Sequence, residues 1–235
     1  MAENPGGPGL FITSSGTGTG KTLVACALCH QLRAKGRRVR ALKPVISGFR
    51  AAEAETSDTG LLLESLGLAV SSGNIERISP WRFEAAIAPN MAARREGGEI
   101  DLAALTDFCR AALERDNVTL IEGVGGVSAP LSDTATVMDW MAALKLPTLV
   151  VLGSYLGAIS HGLTAIEATA GRNVPIAGII VNESPESPVD LAETVETFQR
   201  FLPDYPILPV ARVAPDPRPW EKLPDFTALV ESRLQ

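Results

Sequence analysis

Residues 14–22 carry the densest group of chemistry-bearing side chains in this sequence, reading Ser-Ser-Gly-Thr-Gly-Thr-Gly-Lys-Thr. Glycines in such a segment let the backbone curl until its N–H groups surround an anion. A helix that starts at the end of the segment adds a partial positive charge. In this pattern Lys21 can reach the β- and γ-phosphates of a nucleoside triphosphate, and the Thr22 hydroxyl can bind Mg²⁺. The alternative is an ordinary Gly-rich turn, which the Gly-Lys-Thr sequence at a strand-to-helix junction disfavours.

Three further charged residues could complete a phosphate and metal site. Glu122 follows an apolar strand, and a carboxylate at the carboxyl end of a parallel strand faces the ligand crevice. Asp58 precedes an apolar helical run and could bind the metal or cap the helix. Lys43 precedes Pro44, which favours an extended backbone at Lys43 and holds it at the strand end. There it could stabilise charge on a transferred phosphoryl group, or it could be a solvated lysine.

The elements that position these residues follow from the alternation of apolar runs and helical patterns. We predict strands at residues 10–13, 39–44, 118–121, 148–152 and 176–181. We predict helices at residues 21–35, 56–66, 101–115, 136–144, 160–169, 190–201 and 226–232. Continuous Val/Ile/Leu runs indicate strands covered on both faces. The pattern predicts an α/β fold: a single P-loop NTPase domain over residues 1–235, with a mostly parallel sheet and helices on both faces. Residues 1–9 are expected to be a flexible N-terminus, and residues 203–219 a Pro-rich loop region with one short strand.

Composition excludes several classes of function. The chain has 235 residues, of which 46% are apolar and 20% charged, as in an ordinary soluble globular domain. Its net charge of −6 argues against non-specific nucleic-acid binding. We see no apolar run long enough for a membrane span and no signal-peptide pattern, so a cytoplasmic protein is expected. Cys26, Cys29 and Cys109 do not form a disulfide framework.

Five blocks together resemble the dethiobiotin synthetase family. They are residues 14–22, Lys-Pro-Val-Ile-Ser-Gly at 43–48, Glu-Gly-Val-Gly-Gly at 122–126, Pro-Leu-Ser-Asp at 130–133, and Leu-Gly-Ala-Ile-Ser-His at 156–161. The blocks follow the order of the family and span about residues 10–185. The chain departs from the family pattern at Ser14, Ser15, Gly18, Tyr155 and Ser160.

The resemblance implies an ATP-dependent cyclo-ligase of biotin biosynthesis. Members of the family carboxylate 7,8-diaminopelargonic acid (7,8-diaminononanoate) with CO₂ to a carbamate. ATP converts the carbamate into a carbamic-phosphoric anhydride, and ring closure gives dethiobiotin, ADP and phosphate. The implied cofactor is Mg²⁺, ATP is a co-substrate, and the implied assembly is a homodimer with the substrate site at the subunit interface. No nucleic acid or membrane partner is implied.

The resemblance also carries roles to individual positions. Lys43, Lys21 and Thr17 would be catalytic, while Thr22, Asp58 and Glu122 would hold the metal. Nucleotide contacts would come from the loop residues Gly18, Thr19, Gly20, Lys21, Thr22 and Leu23, from Asp58, from Glu122, Gly123, Val124 and Gly125, and from Asn182, Glu183, Arg212, Val213 and Ala214. The diamine would contact Thr17, Lys43 and Ser47, and its carboxylate would meet Leu156, Gly157 and Ser160 of the other subunit.

Two other functions fit the same phosphate loop. An amidating ligase of the cobyrinic acid type usually carries a glutaminase domain, for which this chain has no room. A partner-regulated ATPase of the partitioning or cell-division type carries an additional lysine early in its loop, where this chain has Gly16.

Overall fold

A six-stranded parallel sheet forms the centre of the computed structural model, which describes residues 7–231. The strands are β1 Gly9–Ser14, β2 Val39–Leu42, β5 Val118–Glu122, β6 Thr148–Leu152, β7 Ile176–Asn182 and β8 Ile207–Val210. Their order across the sheet is β2-β5-β1-β6-β7-β8, and every pairing is parallel. A second, two-stranded parallel sheet pairs β3 Val45–Ser47 with β4 Trp81–Phe83.

Nine helices are described in residues 7–231. They are α1 Lys21–Ala34, α2 Asp58–Ser65, α3 Ser72–Ile78, α4 Pro89–Arg95, α5 Leu102–Ala111, α6 Val137–Leu144, α7 Ala158–Gly171, α8 Leu191–Phe201 and α9 Thr227–Val230. Short 3₁₀ segments occupy Ala51–Thr56 and Pro219–Lys222.

Strand β1 shows why the central sheet is stable. All of its residues are buried, which requires cover on both faces. On one face the ring of Phe11 meets Trp140 of α6 edge-on, with ring centroids 4.8 Å apart. Helix α1 contacts β1, β2 and β5. The predicted α/β fold with a parallel sheet is confirmed.

The predicted strand at 39–44 is wrong at its end. Strand β2 stops at Leu42, and the chain leaves the main sheet through Lys43 and Pro44. Strand β3 then pairs with β4 instead of continuing beside β5. Pro44 cannot donate a ladder hydrogen bond, and the Lys43 N–H donates to the Ile78 carbonyl instead (2.9 Å).

The predicted helix at 56–66 starts later than expected, and this matters for the site. Helix α2 begins at Asp58, and its cap is Ser57, whose hydroxyl accepts from the Gly60 N–H at 3.1 Å. The Asp58 carboxylate is therefore not the helix cap. The sequence prediction also missed α3, β4 and α4, each of seven residues or fewer.

The two ends of the chain differ in detail from the prediction. Residues 1–6 of the predicted flexible N-terminus lie outside the described residues, whereas Gly9 already belongs to β1. The predicted final helix at 226–232 is observed as α9 Thr227–Val230, and residue 232 lies outside the described part. The one short strand expected within the loop region at 203–219 is observed as β8. No helix within residues 7–231 is long and apolar enough to cross a membrane.

Candidate functional site

A cavity of about 1240 Å³ lies where the phosphate loop meets the carboxyl ends of β2 and β5. In a parallel α/β sheet this is the edge where ligands bind. Most of the predicted site residues line it, namely Thr17, Gly18, Gly20, Lys21, Thr22, Leu23, Lys43, Ser47, Asp58, Glu122, Val124 and Gly125. Two others adjoin it without lining it: Thr19 is buried in the loop, and the carbonyl of Gly123 accepts from Lys43 Nζ.

The phosphate loop connects β1 directly to α1, as the sequence predicts. Gly20 has φ 95° at the start of α1, a left-handed conformation that favours glycine. A β-carbon at this position would also lie 2.1 Å from the side-chain nitrogen of Asn182. Asn182 donates to the Thr19 carbonyl at 3.1 Å and so packs β7 against the loop. Gly20 is therefore required both for the backbone conformation and for this close approach.

Lys21 is buried in the loop and contacts neutral oxygens. Its Nζ donates to the Ser14 hydroxyl at 3.0 Å and to the Gly16 carbonyl at 2.9 Å. Burial, followed by the positive charge of nearby Lys43, lowers the pKa of Lys21 to about 8. The loop thus holds a cation that lacks a close anionic partner among residues 7–231. The unneutralised Lys21 ammonium favours binding of an anion in the loop.

Lys43 lines the same cavity and is held by carboxylates. Its Nζ lies 2.5 Å from Glu122 Oε1 and 2.9 Å from Asp58 Oδ2, and it donates to the Gly123 carbonyl at 3.1 Å. Burial alone would lower the pKa of Lys43, but the two carboxylates outweigh burial and raise it above its ordinary value. Lys43 is therefore a charged ammonium at neutral pH.

The two carboxylates differ in their environments. Glu122 is fully buried, and burial raises its pKa although the charge of Lys43 opposes the change. Asp58 is more exposed, and the Lys43 charge lowers its pKa against the opposing effect of burial. Thr22 Oγ1 donates to Glu122 Oε1 at 2.8 Å. Glu122 Oε2 has no hydrogen-bond partner in the described part of the chain. Thr22, Asp58 and Glu122 thus present a set of oxygen ligands that could hold a divalent cation.

A separate recess, with a smaller volume of about 310 Å³, lies at the ends of β7 and β8. Glu183 and Arg212 line it, and the Arg212 N–H donates to Glu183 Oε2 at 2.8 Å. Val213 and Ala214 follow Arg212 but line neither recess. Asn182 therefore contacts the phosphate loop, and Glu183 and Arg212 lie next to Asn182 at the ends of β7 and β8.

The structure does not bring the predicted carboxylate-binding segment to this cavity. Leu156, Gly157 and Ser160 lie at the start of α7, beyond the end of β6. Leu156 is 85% exposed, which is unusual for a leucine. The resemblance assigns this segment to the site of a second subunit, and that placement stays a prediction.

Sequence reasoning missed one wall of the cavity. Asp216, Pro217, Pro219 and Trp220 line the cavity, although the sequence predicts only a loop region up to residue 219 and no element at Trp220. Trp220 is buried, and the neighbouring Arg218 forms an ion pair with Glu64 of α2. The available signal was a tryptophan in a Pro-rich loop, because a large aromatic side chain in a loop must find a packing partner.

The parallel sheet, the phosphate loop and the acidic residue at the end of β5 define a P-loop NTPase fold. A family model described as an AAA domain matches residues 8–217. The crystal structure of the cell division protein ftsY from Thermotoga maritima aligns with a TM-score of 0.50 at 18% identity, over 98% of this chain and 70% of that chain. That likeness concerns the fold alone.

Closer relatives identify the family. The ATP-dependent dethiobiotin synthetase BioD of Phenylobacterium zucineum is 46% identical over 206 residues, covering 86% of this chain and 88% of the relative. BioD of Caulobacter sp. is 41% identical over 216 residues, covering 91% of this chain and 90% of the relative. The chain belongs to the ATP-dependent dethiobiotin synthetase family, and it is therefore an ATP-dependent ligase rather than a nucleotide-switched binding protein.

Proposed function

We propose that this enzyme carboxylates 7,8-diaminononanoate with CO₂ and closes the product to dethiobiotin, consuming ATP. The observation that carries the proposal is the pair of buried ammonium groups, Lys21 and Lys43, that line one cavity. The reaction must bring an anionic carbamate against the terminal phosphate of ATP. Two cations that line one cavity would offset the repulsion between these anions and hold them in reactive geometry.

The bond changes follow from the chemistry of the substrates. One amine of the diamine attacks the carbon of CO₂ and loses a proton, which gives a carbamate. A carbamate oxygen then attacks the γ-phosphorus, and the bond to the β-phosphate oxygen breaks to release ADP. The second amine attacks the carbonyl of the resulting anhydride, phosphate leaves, and loss of a proton completes the cyclic urea.

Lys21 and the loop N–H groups are proposed to bind the β- and γ-phosphates. Lys21 has a charge that no close carboxylate neutralises within residues 7–231. Residues 17–23 line the same cavity, apart from buried Thr19. Lys43 is proposed to contact both the carbamate and the transferred phosphoryl group, where charge develops in the transition state.

Thr22, Asp58 and Glu122 are proposed to hold Mg²⁺. The fit rests on the chemistry of the ligands: two carboxylates and a hydroxyl converge, and Glu122 Oε2 is buried with no donor in the described chain. Mg²⁺ is usually bound by one or two carboxylates together with substrate phosphates and water. When bound, it would offset negative charge on the phosphate oxygens.

The diamine is proposed to lie against Thr17 and Ser47. Ser47 Oγ is buried, lines the cavity, and lacks a hydrogen-bond partner among the described residues. A buried hydroxyl without a partner costs free energy, and an amine or carbamate of the substrate would supply the missing partner. Thr17 is exposed across the same cavity.

The base of ATP is proposed to lie near Asn182, Glu183 and residues 212–214. The Asn182 amide and the carboxylate of Glu183 provide donors and acceptors for the ring edge. We further propose a homodimer in which Leu156, Gly157 and Ser160 receive the substrate carboxylate bound to the other subunit. The high exposure of Leu156 and its position at a helix N-terminus support this assignment.

Retention of isotope from labelled bicarbonate tests the proposed function. Purified protein with ATP, Mg²⁺, the diamine and labelled bicarbonate should convert the label into an acid-stable cyclic urea, with one ADP formed per urea. Reactions without the diamine or without ATP are the controls. ATP consumption with no acid-stable label would refute the proposed substrates.

A further inference from the structure

The hydroxyl of Ser14 occupies the junction between the phosphate loop and the glycine-containing segment 123–126. Ser14 is the last residue of β1 and is fully buried. Its Oγ accepts from Lys21 Nζ at 3.0 Å and from the Gly16 N–H at 3.2 Å. Its single proton can go to the Gly16 carbonyl at 2.5 Å or to the Gly125 carbonyl at 3.0 Å. One side chain therefore joins the lysine, its loop and the segment after β5.

The contacts of Lys21 explain why a neutral oxygen matters here. Lys43, which lines the same cavity, already has two carboxylate partners, Asp58 and Glu122. Lys21 instead donates to a hydroxyl and a carbonyl, which fix its position without cancelling its charge. A carboxylate at the Ser14 position would neutralise the charge that ATP needs.

We propose that Ser14 is a positioning residue that holds the Lys21 ammonium in its phosphate-binding position. An ammonium group has three protons. Two of those on Lys21 go to Ser14 and Gly16 at the base of the loop, which leaves the third for the cavity that Lys21 lines. Both loop contacts can therefore persist when phosphate arrives. The inference rests on the proposed function in one respect only, namely that this loop binds ATP.

The hydroxyl contact should favour the bound nucleotide in the ground state and the transition state alike. Removing it should therefore raise the KM for ATP and leave kcat nearly unchanged. A hydrogen bond to a charged group contributes enough to binding to change the affinity about ten-fold. The KM for the diamine should change less than the KM for ATP, because the hydrogen bonds of Ser14 go to Lys21, Gly16 and Gly125 and not to Ser47 or Thr17.

Direct nucleotide titration tests the proposal without requiring the ligase reaction. Ser14→Ala and Ser14→Gly are each titrated calorimetrically with Mg²⁺ and a non-hydrolysable ATP analogue. Both should bind about ten-fold more weakly than the wild type. Thr13→Val is the matched control, because Thr13 Oγ1 is buried on the same strand yet has no hydrogen-bond partner in residues 7–231. The control should bind normally.

A double-mutant cycle separates positioning of Lys21 from a general effect on the loop. In a Lys21→Met background, Ser14→Ala should cause little further loss of affinity, because its proposed partner is already gone. Equal losses in both backgrounds, or unchanged affinity of Ser14→Ala, would overturn the proposal. If the nucleotide affinities change as predicted but the wild-type enzyme forms no cyclic urea, the result counts against the proposed function and not against the role of Ser14. If Ser14→Ala unfolds, Ser14→Gly carries the test.

Discussion

The ion pair between Lys43 and Glu122 makes stability depend on pH in a way that a single substitution should reveal. Lys43 is 3% exposed and Glu122 is 1% exposed. In Lys43→Met, Glu122 keeps the Thr22 hydroxyl but loses its ammonium partner. A buried carboxylate left without a cation is strongly disfavoured, so the variant should either lose stability or bind a proton at Glu122.

The sign of the pH effect follows from the direction of the pKa shift. Burial already raises the pKa of Glu122 above its ordinary value of 4.5, and loss of Lys43 removes the main opposing effect. Above pH 4.5 the folded variant then binds more protons than the unfolded chain, so its stability falls as pH rises toward the folded pKa. Breaking a buried pair costs about 3–5 kcal/mol when the remaining charge persists. Each further unit of pKa rise corresponds to about 1.4 kcal/mol.

Urea unfolding at about pH 6 and about pH 8.5 measures the effect. Lys43→Met should be destabilised relative to the wild type by about 3–5 kcal/mol at the higher pH, and clearly less at the lower pH. Lys43→Met combined with Glu122→Gln is the control, because it removes both charges. It should regain most of the stability and show the same loss at both pH values. An equal loss for Lys43→Met at the two pH values would refute the reasoning.

Three further predictions concern function. Lys43→Gln should retain ATP affinity within about three-fold but lose about 10²–10³-fold in kcat, measured by steady-state assay, because Lys43 acts on the transition state; unchanged turnover would remove it from the mechanism. ATP binding should be accompanied by uptake of a proton near pH 9 and of none near pH 6.5, because the pKa of Lys21 is lowered to about 8 in the free enzyme and bound phosphate raises it again. Calorimetry in buffers of different ionisation enthalpy measures the number of protons taken up, and an equal number at both pH values would contradict the prediction. Leu156→Asp should weaken the proposed dimer and raise the KM for the diamine without changing ATP affinity, whereas Leu68→Asp, at another exposed leucine, should change neither dimer nor KM. Sedimentation measures the dimer and steady-state kinetics the KM. A stable Leu156→Asp dimer with an unchanged KM would exclude the proposed interface.

Local patterns predicted the central sheet because its strands are buried on both faces. The strands β1, β5 and β6 are short apolar runs, and every residue in them is buried. A continuous apolar run by itself indicates a strand that is covered on both faces. The phosphate loop was also predictable, because the positions of glycine, Lys21 and Thr22 follow from backbone requirements at a strand-to-helix junction.

Features that depend on distant contacts were not predictable in the same way. The break after β2 depends on pairing between β3 and β4, whose three-residue strands are too short to show a pattern. The sequence left Asp58 as either a metal ligand or a helix cap. The cap was excluded by Ser57, which caps α2, and the Asp58 carboxylate instead pairs with Lys43, which lies in a different loop. The wall formed by Asp216 and Trp220 depends on how the tail packs against α1 and α2. Ser14 looked like a departure from a family pattern, and only its contact with Lys21 revealed a role.

The register of the parallel sheet explains why the charged residues meet at one point. Leu42 of β2 pairs with Ile121 of β5, so Lys43 and Glu122, each one residue further on, emerge side by side at the same edge. Ile12 of β1 pairs with Glu122, which places the end of β1 and the phosphate loop next to that carboxylate. Side chains alternate between the two faces of a strand, so a shift of one residue in the β2–β5 pairing would turn the Glu122 carboxylate away from Lys43. The short apolar strands therefore determine the chemistry of the site as well as the fold, because their register sets which charges become neighbours.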